Sequence, residues 1–313
     1  MTRWCSRFGA SARPCAADGA VAGRRAFTLV ELLVVLAVVA LLVATLLPVL
    51  GRARDQGRGL AVLSAGRQLA IGALAYQSDH DGHVVFGYVP ASPDTVAGQP
   101  IAVREPVTGH RLTGQAVARY PARLLPYVGG LWEILRAHAA TSLEPPRAGD
   151  SYAQTFMKVY QLGVSPTFGI NSVYVGGDRE YGGFLHQGGS DYLPAYSDPR
   201  IVFYDHHVRQ PSRLVAFSTA ASLTSLGVTG QPSPGFHRVT PPHLAQQSIW
   251  SADGQALRIL AGPSTFAVPR GHFTESAAVA YLDGHLAREP ADRLVDMRRW
   301  ANTADHADHD PLP

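Results

Sequence analysis

Residues 24–50 read RRAFTLVELLVVLAVVALLVATLLPVL, and the reading of this stretch decides the fold. Phe27 to Leu50 is a run of 24 residues that is almost entirely apolar. At about 1.5 Å rise per residue, such a helix crosses a hydrocarbon core of roughly 30 Å. Glu31 breaks the pattern near the start of the run. A carboxylate is expensive in lipid, and a span serving only as an anchor would gain from leucine at this position. Glu31 is therefore expected to meet a cationic partner inside the membrane.

The residues around Glu31 suggest which partner. Arg24, Arg25, Ala26, Phe27, Thr28, Leu29, Val30 and Glu31, followed by the apolar run, resemble the N-terminus of type IV prepilins and of the pseudopilins of type II secretion systems. The resemblance implies a basic leader, residues 1–26, that a membrane-embedded prepilin peptidase cuts between Ala26 and Phe27. It implies methylation of the new amino terminus at Phe27. It also makes Glu31 the assembly carboxylate that pairs with a neighbouring subunit's N-terminus. Pro48 matches a proline that family members carry near the far end of the span, where it bends or locally melts the helix. Ala26 departs from the glycine usual before the cut. Alanine is the next smallest residue, so cleavage is still expected. The partners implied are the prepilin peptidase/N-methyltransferase, other pseudopilins, the assembly platform of the cytoplasmic membrane and the lipid bilayer.

The net charge of +3 misleads. The leader holds Arg3, Arg7, Arg13, Arg24 and Arg25 against Asp18, so its removal leaves a mature chain near −1. Nothing in that balance points to nucleic acid. Cys5 and Cys15 both lie in the leader. A mature chain without cysteine has no disulfide or thiolate metal site and must rely on its apolar core. The arginines before the span outnumber Arg52, Arg54 and Arg58 after it, which places the N-terminus in the cytoplasm and the remainder in the periplasm. The leader is long for this family, and a start codon assigned too far upstream would account for it. A twin-arginine export signal is the rival reading. Glu31 and the lack of a small-x-small site after Leu50 argue against it.

Beyond the span, Gly51 to Gln77 continues the helix. Val62, Gly66, Leu69, Ala73 and Tyr76 recur at three- and four-residue steps. Glycines lower helix propensity, so this half needs a sheet to lie against. Residues 78–83 end the helix, with Asp81-Gly82 as a turn and 84–86 as a strand. Residues 67–83, RQLAIGALAYQSDHDGH, resemble the segment after the anchor in a pseudopilin-like family of planctomycetes and related bacteria. Residues 90–106 read as a loop, 120–138 as helical, and 152–174 as one or two strands. The glycine-rich run 175–192 reads as a long surface loop. Residues 201–207 (IVFYDHH) and 213–219 (RLVAFST) read as adjacent antiparallel strands, with His206 and His207 on opposite faces.

Residues 272–285, HFTESAAVAYLDGH, carry the last chemical-looking cluster. Residues 277–282 read as a strand, Asp283-Gly284 as a tight turn, and His285 to Ala287 as the return. The phrase resembles the C-terminal signature of the same planctomycete-type family, a histidine followed by Asp-Gly. His272, Asp283, Gly284 and His285 are its counterparts here. Their expected role is structural.

No G-x-S-x-G, HExxH, Walker sequence or cysteine nucleophile is present. No catalytic, metal or cofactor site is therefore expected, and the acids give no defensible calcium spacing. The expected fold is α+β and pilin-like. One long N-terminal helix, transmembrane at 27–50 and amphipathic at 51–80, packs on a mainly antiparallel sheet head at 81–300, followed by a polar tail at 301–313. The expected function is a non-enzymatic, pseudopilin-like subunit of a type II secretion or type IV pilus-like filament. The alternative is a membrane-anchored exported enzyme or binding domain using the Asp/His groups at 80–83, 205–207 and 283–285, with a divalent metal.

Overall fold

The computed structural model describes residues 28–89, 95–96, 99–129, 132–136, 144–188, 191–222, 233–244, 247–253, 256–260, 267–269 and 276–308. The chain divides into two units, Met1–Ala53 and Arg54–Pro313. Helix α1 (Leu29–Asp79) is 51 residues long and begins in the first unit. Its opening stretch, Leu29–Leu50, is exposed throughout. An 18-residue window there has a mean hydropathy of 3.0, and the helix is long and apolar enough to cross a membrane. Leu, Val and Ala fill it, side chains that cost nothing in hydrocarbon, and the helix satisfies its backbone groups within the segment, as lipid would require. Pro48 lies inside α1. Its missing N–H leaves the Ala44 carbonyl without its helical donor.

In the second unit, α1 buries Val62, Ala65, Gly66, Leu69, Ala70, Ala73 and Tyr76. This is the face expected from the three- and four-residue steps. Gly66 permits a close approach, since a Cβ there would sit 2.7 Å from the Phe168 ring and 2.8 Å from Leu286 Cδ1. Gly72 does the same against Val128, at 2.8 Å.

The sheet beneath is antiparallel. Strands β1 (Ala102–Arg104) and β2 (Arg111–Thr113) form a separate hairpin. The main sheet is built on β4 (Val215–Ser222), buried along its whole length. It pairs with β3 (Phe168–Ile170), with β5 (Ala267–Pro269) and with β6 (Ser276–Tyr281). Strand β6 turns back into β7 (Leu286–Pro290), in register Ala280↔Leu286 through Ser276↔Pro290. Alternation along β6 divides the core. Ala278 and Ala280 join the cluster around α1, whereas Ala277, Val279 and Tyr281 join a second cluster holding Trp250 and Trp300. The sheet is thus covered on both faces. One long apolar helix and a mainly antiparallel sheet make the fold α+β.

Several expectations for the head are corrected. Residues 152–164 are a helix, not strand, capped by Ser151 and Gln154 in a reciprocal capping box. Only Phe168–Ile170 in that region is a strand. The helical reading of residues 120–138 holds, as two short helices among the described residues, Tyr120–Leu124 and Trp132–Leu135. Residues 84–86 form no strand and are flanked by single bridges at His83 and Tyr88. Residues 201–207 make only the bridges Val175↔Val202 and His83↔Tyr204 before the 3-10 turn Asp205–His207. The run 175–192 is not a surface loop at its start. Val175, Gly176, Gly177 and Asp178 are buried, and strands Phe184–Gly188 and Asp191–Pro194 follow. At the C-terminal end, Asn302 ties down the chain by donating to the His207 carbonyl and accepting from the Arg209 N–H.

Candidate functional site

Glu31 sits three residues after Thr28, at the first turn of α1. Thr28 donates from its backbone N–H and its Oγ1 to Glu31 Oε2, both at 2.8 Å. The Glu31 N–H returns a bond to Thr28 Oγ1 at 3.2 Å. This is a capping box, with Thr28 as the N-cap and Glu31 at the third helical position. It satisfies orphan donors that lipid could not. It also fixes the carboxylate at the mouth of the helix, where the macrodipole favours negative charge. Oε1 accepts no hydrogen bond among the described residues. Ala26 and Phe27, the expected cleavage pair, lie outside the described residues.

The C-terminal turn is built differently. Gly284 has φ +88°, a left-handed conformation that favours glycine, and a Cβ there would lie 2.5 Å from Leu74 Cδ1 of α1. Asp283 Oδ1 accepts from the His285 N–H at 3.1 Å and from His285 Nδ1 at 2.6 Å. The His285 ring stacks on Tyr281 at 4.3 Å. The turn is held from below by Leu282 N–H donating to the Leu214 carbonyl and Asp283 N–H donating to that of Pro211. Asp283, Gly284 and His285 thus lock a hairpin against the long helix. His272 lies outside the described residues.

Two of the three Asp/His groups meet. The Asp205 N–H donates to the Gly82 carbonyl at 2.9 Å, and the Asp205 carboxylate covers Gly82. His80 Nδ1 donates to the Tyr76 carbonyl at 2.8 Å. His83 lies 3.0 Å from the Tyr196 hydroxyl, and burial lowers its pKa. His206 and His207 stand on a turn rather than on opposite faces of a strand, with ring centroids 4.4 Å apart. Among the described residues, no three His, Asp or Glu side chains converge as a metal site.

Two features carried no sequence signal. The glycine-rich segment buries Asp178 against Arg238, 60 residues later, with Arg238 Nη1 3.0 Å from both carboxylate oxygens. Glu180 adds a second partner to Arg238 at 2.5 Å. The other is a cavity of about 780 Å³ lined by residues from α1, the β1–β2 hairpin and the Tyr120–Leu124 region.

Residues 22–47 match the family described as Prokaryotic N-terminal methylation motif. No curated protein and no solved structure matches the chain. The matched segment holds the Arg-Arg flank, the Ala26-Phe27 pair and the Thr28–Glu31 capping box at the head of the apolar helix.

Proposed function

We propose that this chain, whose residues 22–47 match a prokaryotic N-terminal methylation motif at the head of a helix long and apolar enough to cross a membrane, is a type IV pilin-like protein anchored in the inner membrane and, more closely, a pseudopilin-like structural subunit. A prepilin peptidase cuts between Ala26 and Phe27 and methylates Phe27. The assembly platform then draws the helix out of the bilayer into a type II secretion or type IV pilus-like filament. The head lies in the periplasm. The protein is not an enzyme and needs no cofactor.

The observation that carries this reading is the position of Glu31. It is a carboxylate on the lipid-facing end of an apolar helix, oriented by Thr28 through one oxygen. A cation supplied by the next subunit's amino terminus would neutralise it, and the pairing would set the axial register between helices. Single buried polar residues set register in other helical assemblies.

Subunit contacts can be tested by crosslinking, because both native cysteines precede Phe27. Paired cysteines placed at Leu36 and Leu41, exposed positions on the apolar segment, should give an oxidation ladder of dimers and higher species in cells with the assembly platform. Monomer alone, equal with and without the platform, would contradict assembly.

A further inference from the structure

The cavity of about 780 Å³ in the head falls in the size range of small-molecule sites, about 300–1,000 Å³. Its aromatic wall comes from the end of α1. Tyr76 stacks on His80 with ring centroids 3.9 Å apart, and Tyr127 meets Tyr76 edge-on at 5.5 Å. Half-buried Ile101 and Val103 add aliphatic lining.

Two buried charges complete the lining. Glu105 is 0% exposed. Its Oε2 accepts from the Val107 N–H, the Thr108 N–H and the Thr108 hydroxyl, which locks the carboxylate in the β1–β2 turn. Its Oε1 is buried and has no hydrogen-bond partner among the described residues. Arg123 is 6% exposed. Its Nη2 donates to the Ala118 carbonyl at 3.3 Å, while Nη1 is buried without a partner among the described residues. Burial pushes the guanidinium pKa down to about 10, so it remains charged at neutral pH. Buried charges left half-satisfied are uncommon and call for an explanation. A free acceptor and a free donor beside aromatic rings form a complementary set for one kind of ligand.

We propose that this cavity binds a small amphoteric aromatic molecule. Its cationic or N–H group faces Glu105 Oε1, its anionic or carbonyl group faces Arg123 Nη1, and its ring lies against Tyr76 and Tyr127. The proposal is independent of filament assembly and would give the head a recognition role.

The test uses full-length protein in phosphatidylcholine nanodiscs, titrated calorimetrically with L-tryptophan, tryptamine, indole-3-acetate and indole, against empty nanodiscs. Tryptophan carries both charges, the next two carry one each, and indole carries none. Tryptophan should bind saturably and at least tenfold tighter than either single-charge probe. In Glu105→Gln the turn keeps an acceptor, but the cavity side gains a donor. That variant should lose the advantage of tryptophan over indole-3-acetate and keep its advantage over tryptamine. Arg123→Gln, which removes the positive charge and keeps an N–H donor, should do the reverse, with a melting curve checking its fold. No saturable binding, equal affinity for all four probes, or discrimination unchanged in Glu105→Gln would each overturn the proposal.

Discussion

Replacing Gly176 with alanine should destabilise the head more than the same substitution at Gly182, an open position in the same segment. Gly176 has φ +76°, and a Cβ there would lie 2.2 Å from the Val85 carbonyl oxygen and 3.0 Å from the Gly87 nitrogen. Both neighbours are backbone, so no side chain can swing away. The left-handed conformation costs a residue with a Cβ about 1–2 kcal/mol. Forcing atoms into a filled core adds about 1–3 kcal/mol. Together these give about 2–5 kcal/mol, a large share of the roughly 5–15 kcal/mol that holds a domain folded. Two control glycines separate the terms. Gly182 has φ +108° but nothing within 4 Å of its Cβ position, so Gly182→Ala should show strain alone. Gly57 lies within α1 with nothing within 4 Å, and Gly57→Ala should be neutral or stabilising by up to about 1 kcal/mol. The assay is urea unfolding of the full chain in nanodiscs, followed by the fluorescence of the buried Trp132, Trp250 and Trp300. A Gly176→Ala midpoint equal to that of Gly182→Ala would refute the claim that this segment is interior.

Three further outcomes are expected. Glu31→Gln keeps an acceptor for both Thr28 donors but removes the charge; if Glu31 pairs between subunits, sheared filament should fall on the order of a hundredfold, the scale of losing one partner of a buried pair. If Glu31 only caps the helix, Glu31→Gln should assemble normally and Glu31→Ala should not. Asp178→Ala leaves the buried Arg238 guanidinium with Glu180 as its remaining ion-pair partner among the described residues, and should cost up to the about 3–5 kcal/mol of an uncompensated buried charge in the same unfolding assay. Burial, reinforced by Arg238 and Arg119, pushes His237 well below the ordinary histidine value of 6.5 and keeps it neutral. The unfolded chain takes up that proton first, so stability is full above pH 6.5 and falls below it, by up to about 1.4 kcal/mol per pH unit. Between about pH 5 and 6.5, above the carboxylate range, His237→Phe should remove that slope and leave a weaker one from His83, whose pKa is also lowered.

What the sequence made legible is what local pattern encodes. The face Val62–Gly66–Leu69–Ala73–Tyr76 repeats at helical steps, and the helix buries it. Asp283-Gly284 between apolar runs marks a hairpin, and β6 and β7 form it. The misreadings arose where distant partners decide the structure. Residues 201–207 are apolar enough for a strand, yet their partners are single residues at 83 and 175. The glycines at 175–183 suggested solvent, but they are the bends that bring Asp178 to Arg238. One miss was avoidable. Ser151 and Gln154 spell a capping box three residues apart, a local signal for the helix that follows. The cavity was not legible, because Glu105 and Arg123 come from separate segments and neither lies in a motif.

The most direct measurement of the central claim is mass spectrometry of the mature N-terminus, from cells with and without an active prepilin peptidase. The account predicts a peptide beginning at N-methylated Phe27, lost when the peptidase is absent. An intact leader in both strains, or a terminus beyond Leu50, would contradict it.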